Sequence, residues 1–303
     1  MNRFIWLIRR EIWEHRAIWI APLVVLGCLA LALVTGNVHL GPIGTTDGNT
    51  GFGALPADMQ LKLLVIAYAG LALVVLVVMG IISFFYSLDS LYSDRRDRSV
   101  LFWKSLPLSD AETVLSKFAV ACVVIPLVAM AGAVLAQLLI AAGGSARLAM
   151  SGMSAGIMWQ PQAIYGGITI AFLWCFTAML WYAPIVGYLM LASAWAPRGP
   201  FLWAVLPPVA IWVAERMVMG SEYAGDFIAG RLFGLKRLLG TTGGAGDLSH
   251  AESGTGVSKL SQLDLVGSLK EFYSSPDLWL GVLAAGLLLA AAMWVRRYRD
   301  ETS

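Results

Sequence analysis

Apolar residues in this chain gather into six long runs, parted by more polar stretches, at about residues 17–34, 61–86, 114–142, 163–196, 201–219 and 276–298. Runs of about 18 or more apolar residues are long enough to cross a bilayer as helices. The third contains Pro126, which predicts a kink that neighbouring helices can tolerate by re-satisfying the freed carbonyl. The last starts with Ser275 as a cap, Pro276 in the first helical position and Asp277 at the positive end of the helix dipole.

The fourth run exceeds the roughly 20 residues one span needs, yet makes two spans only if both are short and share a minimal turn near Pro184. Charge decides. With one long kinked helix there are six spans, and Arg3, Arg9, Arg10, Arg16, Arg95, Arg96, Arg98, Lys104, Lys117, Arg198, Arg296, Arg297 and Arg299 share the side that holds both termini. Two spans would put Arg296, Arg297 and Arg299 on the opposite side. The positive-inside rule favours six, with both termini cytoplasmic.

Residues 1–16 form no span. Phe4, Ile5, Ile8 and Ile12 recur at helical spacing, Arg3, Arg10 and Glu14 fall on another side, and Trp6 and Trp13 add amphipathic rings. That pattern predicts a helix lying in the membrane interface; a plain cytosolic extension is the other reading. Of the three outer connections, 35–60 is Gly-rich without Lys or Arg, 143–162 is rich in Gly, Ser and Met, and 220–275 is long. Within the last, 222–239 reads as an amphipathic surface helix and 240–258 as a flexible linker. The expected fold is therefore an all-α integral membrane protein, a single transmembrane domain over 1–303.

Composition agrees: 58% of residues are hydrophobic, 13% are charged and mean hydropathy is +0.74. Soluble domains carry about 25% charged residues. A net charge of +2 gives no reason to expect nucleic acid. Cys28, Cys122 and Cys175 all lie in apolar runs with no C-x-x-C pair, so neither a disulfide framework nor a metal site is expected. Val25-Leu26-Gly27-Cys28 loosely resembles a lipoprotein cleavage box, but the apolar run continues past it.

The largest cytoplasmic connection, 87–113, holds the densest chemistry. A mixed-charge run, Asp94-Arg95-Arg96-Asp97-Arg98-Ser99, leads into Val100, Leu101, Phe102 and Trp103, and Ser109 or Asp110 with Glu112 can cap the next helix. Such a run is either a solvated topology-setting loop or a docking surface, since aromatics and arginine carry much interface energy. In the spans, Glu215, Arg216 and Lys62 either snorkel to the outer interface or, for Glu215 and Arg216, line an exit gate. Gly132/Ala136 and Gly286/Ala290 are spaced for close helix packing. Met150, Met153 and Met158, with His39 and His250, suit Cu(I) in type, but Met is common apolar filler and no metal is expected. No Ser/His/Asp set, His-Glu-x-x-His run or intramembrane carboxylate pair supports an enzyme.

With these residues in place the chain resembles the permease subunits of type-2 ABC transporters. Residues 1–16, with Arg9, Arg10 and Trp13, look like the family's N-terminal elbow helix. Asp94 through Trp103 look like its cytosolic coupling segment, and Leu106-Pro107-Leu108-Ser109 with Val114-Leu115-Ser116-Lys117 resembles its lead into the third span. The resemblance implies an inner-membrane half-transporter that pairs with a second permease chain, the same or a similar one, in membrane lipid. Two copies of a cytosolic ABC ATPase would bind ATP and magnesium, and Asp94, Arg95, Arg96, Asp97, Arg98, Ser99, Phe102 and Trp103 would couple to them. Independently, no Gly-x-x-x-x-Gly-Lys-Ser/Thr loop occurs, so this chain itself binds no such cofactor. Spans this poor in polar groups suit an amphipathic cargo, and export is the direction the resemblance implies. The rival reading is a stand-alone polytopic resistance or assembly factor without an ATPase.

Overall fold

A computed structural model describes residues 3–35, 56–96, 109–150, 154–234 and 265–299. Among the described residues every regular element is helical: α1 (Arg3–Glu14), α2 (Ala17–Thr35), α3 (Ala57–Arg96), α4 (Asp110–Ala119), a π-helical turn (Val120–Val124), α5 (Ile125–Met150), a short 3-10 turn (Ala155–Trp159), α6 (Pro161–Trp195), α7 (Pro200–Val218), α8 (Tyr223–Phe233), α9 (Leu265–Ser274) and α10 (Pro276–Arg299). Among the described residues, six stretches are long and apolar enough to cross a membrane, at 17–35, 57–96, 110–150, 155–195, 200–218 and 276–298.

Several helices outrun their apolar runs, because their polar ends find partners. At the start of α3, Lys62 pairs with Asp58 one turn earlier at 3.6 Å. Its other end continues through Arg96, so the first part of the 87–113 connection is helix. The fourth run is one helix with Pro184 inside it. Ser109 caps α4 in a full capping box with Glu112, each side chain bonding the other's backbone N–H. At the start of α10 the Ser275 hydroxyl instead donates back to the Phe272 carbonyl at 2.6 Å.

The chain forms two compact units, one of residues 17–80 and 126–176, the other of 1–16, 81–125 and 177–303. In the first, Leu64, Tyr68, Ile140, Ala141, Leu148, Met158 and Ala163 form the core. Small residues bring its helices together: a Cβ on Gly132 would lie 3.3 Å from both Pro22 and Val75. Two of its polar side chains find backbone partners, the Tyr68 hydroxyl donating to the Met158 carbonyl at 2.7 Å and Arg147 to the Leu33 carbonyl at the end of α2 at 3.0 Å. Met158 is thus core, whereas Met150 is exposed.

In the second unit, Leu88, Leu189, Ala192 and Ala204 form a core. Gly187 lets α6 approach α10, its Cβ position lying 3.3 Å from the Ala285 carbonyl oxygen. Gly286 on α10 faces open space instead. Helix α7 carries Pro207 and Pro208. Pro208 has no N–H for the carbonyl four residues back, at Ala204, and the Tyr188 hydroxyl serves that oxygen at 2.8 Å.

Candidate functional site

The second unit buries a chain of charges drawn from four helices. On α1, Leu7 and Glu11 are the buried residues, one turn apart. On α3, Tyr86, Ser90 and Asp94 fall at four-residue spacing along one buried stripe. On α4, Thr113 and Lys117 do the same, and on α10 the stripe is Ala285, Leu289, Ala292 and Arg296. Each helix therefore ends its buried stripe in an ionisable side chain. Lys117 is 1% exposed, Glu11 2%, Asp94 4% and Arg296 5%.

Their charges alternate. Lys117 Nζ lies 3.0 Å from Glu11 Oε1 and 3.4 Å from Asp94 Oδ1. Arg296 reaches Asp94 Oδ2 through Nη1 and Asp110 Oδ1 through Nε, both at 3.2 Å. The Tyr86 hydroxyl donates to the other Glu11 oxygen at 3.0 Å, and the His15 ring packs edge-on against Tyr86. Three carboxylates thus meet two buried cations, and Arg10 approaches Glu11 at 3.9 Å as a third. Burial costs each ion several kcal/mol of hydration, which attraction repays only with close geometry. The cluster contains no activated nucleophile; what it can do is hold four helix ends in register and move them together.

The predicted coupling residues divide. Asp94 is inside the network. Arg95 turns to the end of α6, donating to the Ser193 and Ala196 carbonyls at 2.6 and 2.9 Å. Arg96 is exposed beside the Tyr92 ring. Asp97, Arg98, Ser99, Phe102 and Trp103 lie outside the described residues. Arg296 therefore bonds the carboxylates on both sides of the α3–α4 connection, Asp94 before it and Asp110 after it.

On α1, Arg9 and Trp13 are exposed, the Arg9 guanidinium lying over both Trp6 and Trp13. Phe4 and Ile5 also face outward, so the open face of α1 is aromatic, aliphatic and cationic. Arg10 pairs with Glu14 at 3.2 Å.

Glu215 at the end of α7 accepts from the Ser221 hydroxyl at 2.6 Å and from the backbone N–H groups of Tyr223 and Ala224 at 2.8 and 2.6 Å. It caps the start of α8 from outside that helix. Arg216 pairs with Glu222. The far end of α8 is held by Arg231, which stacks 4.1 Å over Trp181 while the Trp181 indole donates to the Arg231 carbonyl at 2.8 Å.

The sequence pattern pointed to Asp94 but not to Glu11, Lys117 and Arg296, the other buried ions of the network. The available signal was periodicity: each of those three sits where its helix's small or apolar stripe continues.

The family model described as ABC-2 family transporter protein matches residues 60–194, from the start of the second span to the end of the fourth. No curated protein and no solved structure matches the chain.

Proposed function

We propose, on the premise that residues 60–194 are those of an ABC-2 type membrane permease, that this chain is the membrane half of an ATP-driven exporter of the inner membrane. Permeases of this family generally work with an ABC ATPase. Here two ATPase copies would supply ATP and magnesium, and a second permease chain, identical or similar, would complete the channel. The cargo is amphipathic, in keeping with spans that offer it mostly apolar and small side chains. Glu215 and Arg216 stand at the outer end of its path, Glu215 acting by anchoring α8.

One observation carries this reading: a single guanidinium, Arg296, ties together both roots of the α3–α4 connection. A partner pressing on residues 97–108, on Arg96 or on the open face of α1 would displace α1, α3, α4 and α10 as one body. The buried ion pairs leave little slack between them.

Affinity purification of the chain from its own membranes tests the reading. A stoichiometric Walker-motif ATPase is expected, and Arg96→Ala and Phe102→Ala should weaken its binding or its transport-coupled hydrolysis. Reproducible absence of such a protein would favour the stand-alone factor, and full coupling in both variants would remove the docking assignment.

A further inference from the structure

Arg231, near the end of α8, is half-buried without an answering carboxylate, whereas Lys117 and Arg296 of the same unit each meet two. A guanidinium carries five N–H groups. Among the described residues only Nη1 finds an acceptor, the Asp277 carbonyl at 3.1 Å. Nη2 is closed off from solvent and has no hydrogen-bond partner. Burial draws the pKa of the group below the usual arginine range, and the field of the Asp277 carboxylate opposes only part of that.

Three helices hold the guanidinium in place. On α6, the centre of the Trp181 ring lies 4.1 Å from it, and the Trp181 indole fixes the end of α8 by donating to the Arg231 carbonyl at 2.8 Å. On α10, Gly281 is the seat: a Cβ there would collide with the guanidinium. On α9, Phe272 packs 5.2 Å from the Trp181 ring, and the Tyr273 hydroxyl meets that of Thr177 at 2.9 Å. The seat is aromatic and apolar around a positive charge. A cation so placed has lost hydration without gaining a counter-charge, and an anion at its open edge recovers part of that loss through charge-assisted bonds. From the level of Gly281 onward, α10 also exposes Leu280, Leu283 and Leu287, an apolar track for an acyl chain.

We infer that Arg231 is a binding site for the phosphate or carboxylate head of an anionic amphiphile, with Trp181 and Gly281 positioning the guanidinium. This narrows the cargo class proposed above and rests on that reading for its part in transport. Binding itself needs no ATPase, so it is tested on the purified chain alone in dodecyl maltoside. A bimane fluorophore replaces the exposed Phe227, one turn before Arg231, in a background carrying Cys28→Ala, Cys122→Ala and Cys175→Ser. Its emission follows titration with dioctanoyl phosphatidic acid, dioctanoyl phosphatidylcholine or inorganic phosphate. Phosphatidic acid should bind more tightly than phosphatidylcholine. Arg231→Gln should weaken it roughly fivefold, the scale of a charge-assisted bond to a half-exposed cation. Lys270→Gln, which removes an exposed charge of α9, should leave it unchanged. Equal affinity for the two lipids, no loss in Arg231→Gln, or the same loss in Lys270→Gln would overturn the site. Inorganic phosphate binding as tightly as phosphatidic acid would overturn the amphiphile. Should Arg231→Gln not fold, Gly281→Ala keeps the charge but evicts it from its seat, and unchanged affinity there would overturn the site equally.

Discussion

Lys117 and Glu11 meet at 3.0 Å with both side chains closed off from solvent. Removing one partner of an isolated buried pair costs about 3–5 kcal/mol; here Asp94, which stays on Lys117, and the Tyr86 hydroxyl, which stays on Glu11, offset part of that. Glu11→Gln and Lys117→Met should each lower the thermal midpoint in detergent sharply. The double variant should lose clearly less than the two singles added together. Simple additivity would mean that the two residues do not act as a pair.

Arg296 serves two carboxylates from one planar fork, Nη1 to Asp94 and Nε to Asp110. Lysine keeps the charge but not the fork. Arg296→Lys should therefore cost about 1–3 kcal/mol, on the scale of a charge-assisted bond. Arg296→Met should cost more than Asp110→Asn, because Met also takes one of its two cations from the more deeply buried Asp94. Denaturant melts of the three variants give the order directly.

Two glycines of the spans should respond oppositely to the same substitution. A Cβ on Gly167 would sit 2.7 Å from the Tyr68 Cβ and 3.3 Å from the Gln137 side-chain oxygen, whereas one on Gly286 meets nothing within 4 Å. Gly167→Ala should destabilise by about 1–3 kcal/mol through overpacking. Gly286→Ala should be neutral or gain a few tenths of a kcal/mol from helix propensity. Thermal melts of the two single variants, side by side, separate the cases.

Tyr188→Phe deletes the hydroxyl serving the Ala204 carbonyl that Pro208 leaves open. An unmatched buried carbonyl costs about 1–3 kcal/mol. The loss should shrink when Pro208→Ala is added, since alanine returns the missing N–H. If the second substitution gives no relief, the tyrosine acts through packing alone.

The six spans were legible because apolar run length and the placement of arginines are properties of neighbouring residues. So was the capping box, where Ser109 and Glu112 stand three apart, and the single helix through Pro184, which charge balance alone selected. The ion network was not legible in the same way. Glu11, Asp94, Lys117 and Arg296 are far apart in the chain, and nothing local tells which stripe will face which. Lys117 read as one more positive-inside residue, although its ammonium is buried. Small-residue spacing proved degenerate for a related reason: Gly286 fits the pattern but faces open space, while Gly187 makes the close approach to α10. On α1 Phe4 and Ile5 face outward, and the helix turns Leu7 and Glu11 inward, where Lys117 and Tyr86 meet the carboxylate.

The clamp of Arg296 on Asp94 and Asp110 has a bearing on how such a chain diversifies. The ends of the α3–α4 connection are set by residues outside it, so substitutions between them need not disturb the membrane helices. Natural variation can then rewrite residues 97–108 to suit a different partner while the spans keep their arrangement. By the same logic, transplanting that segment between related chains that keep the three clamp residues should carry partner choice along with it.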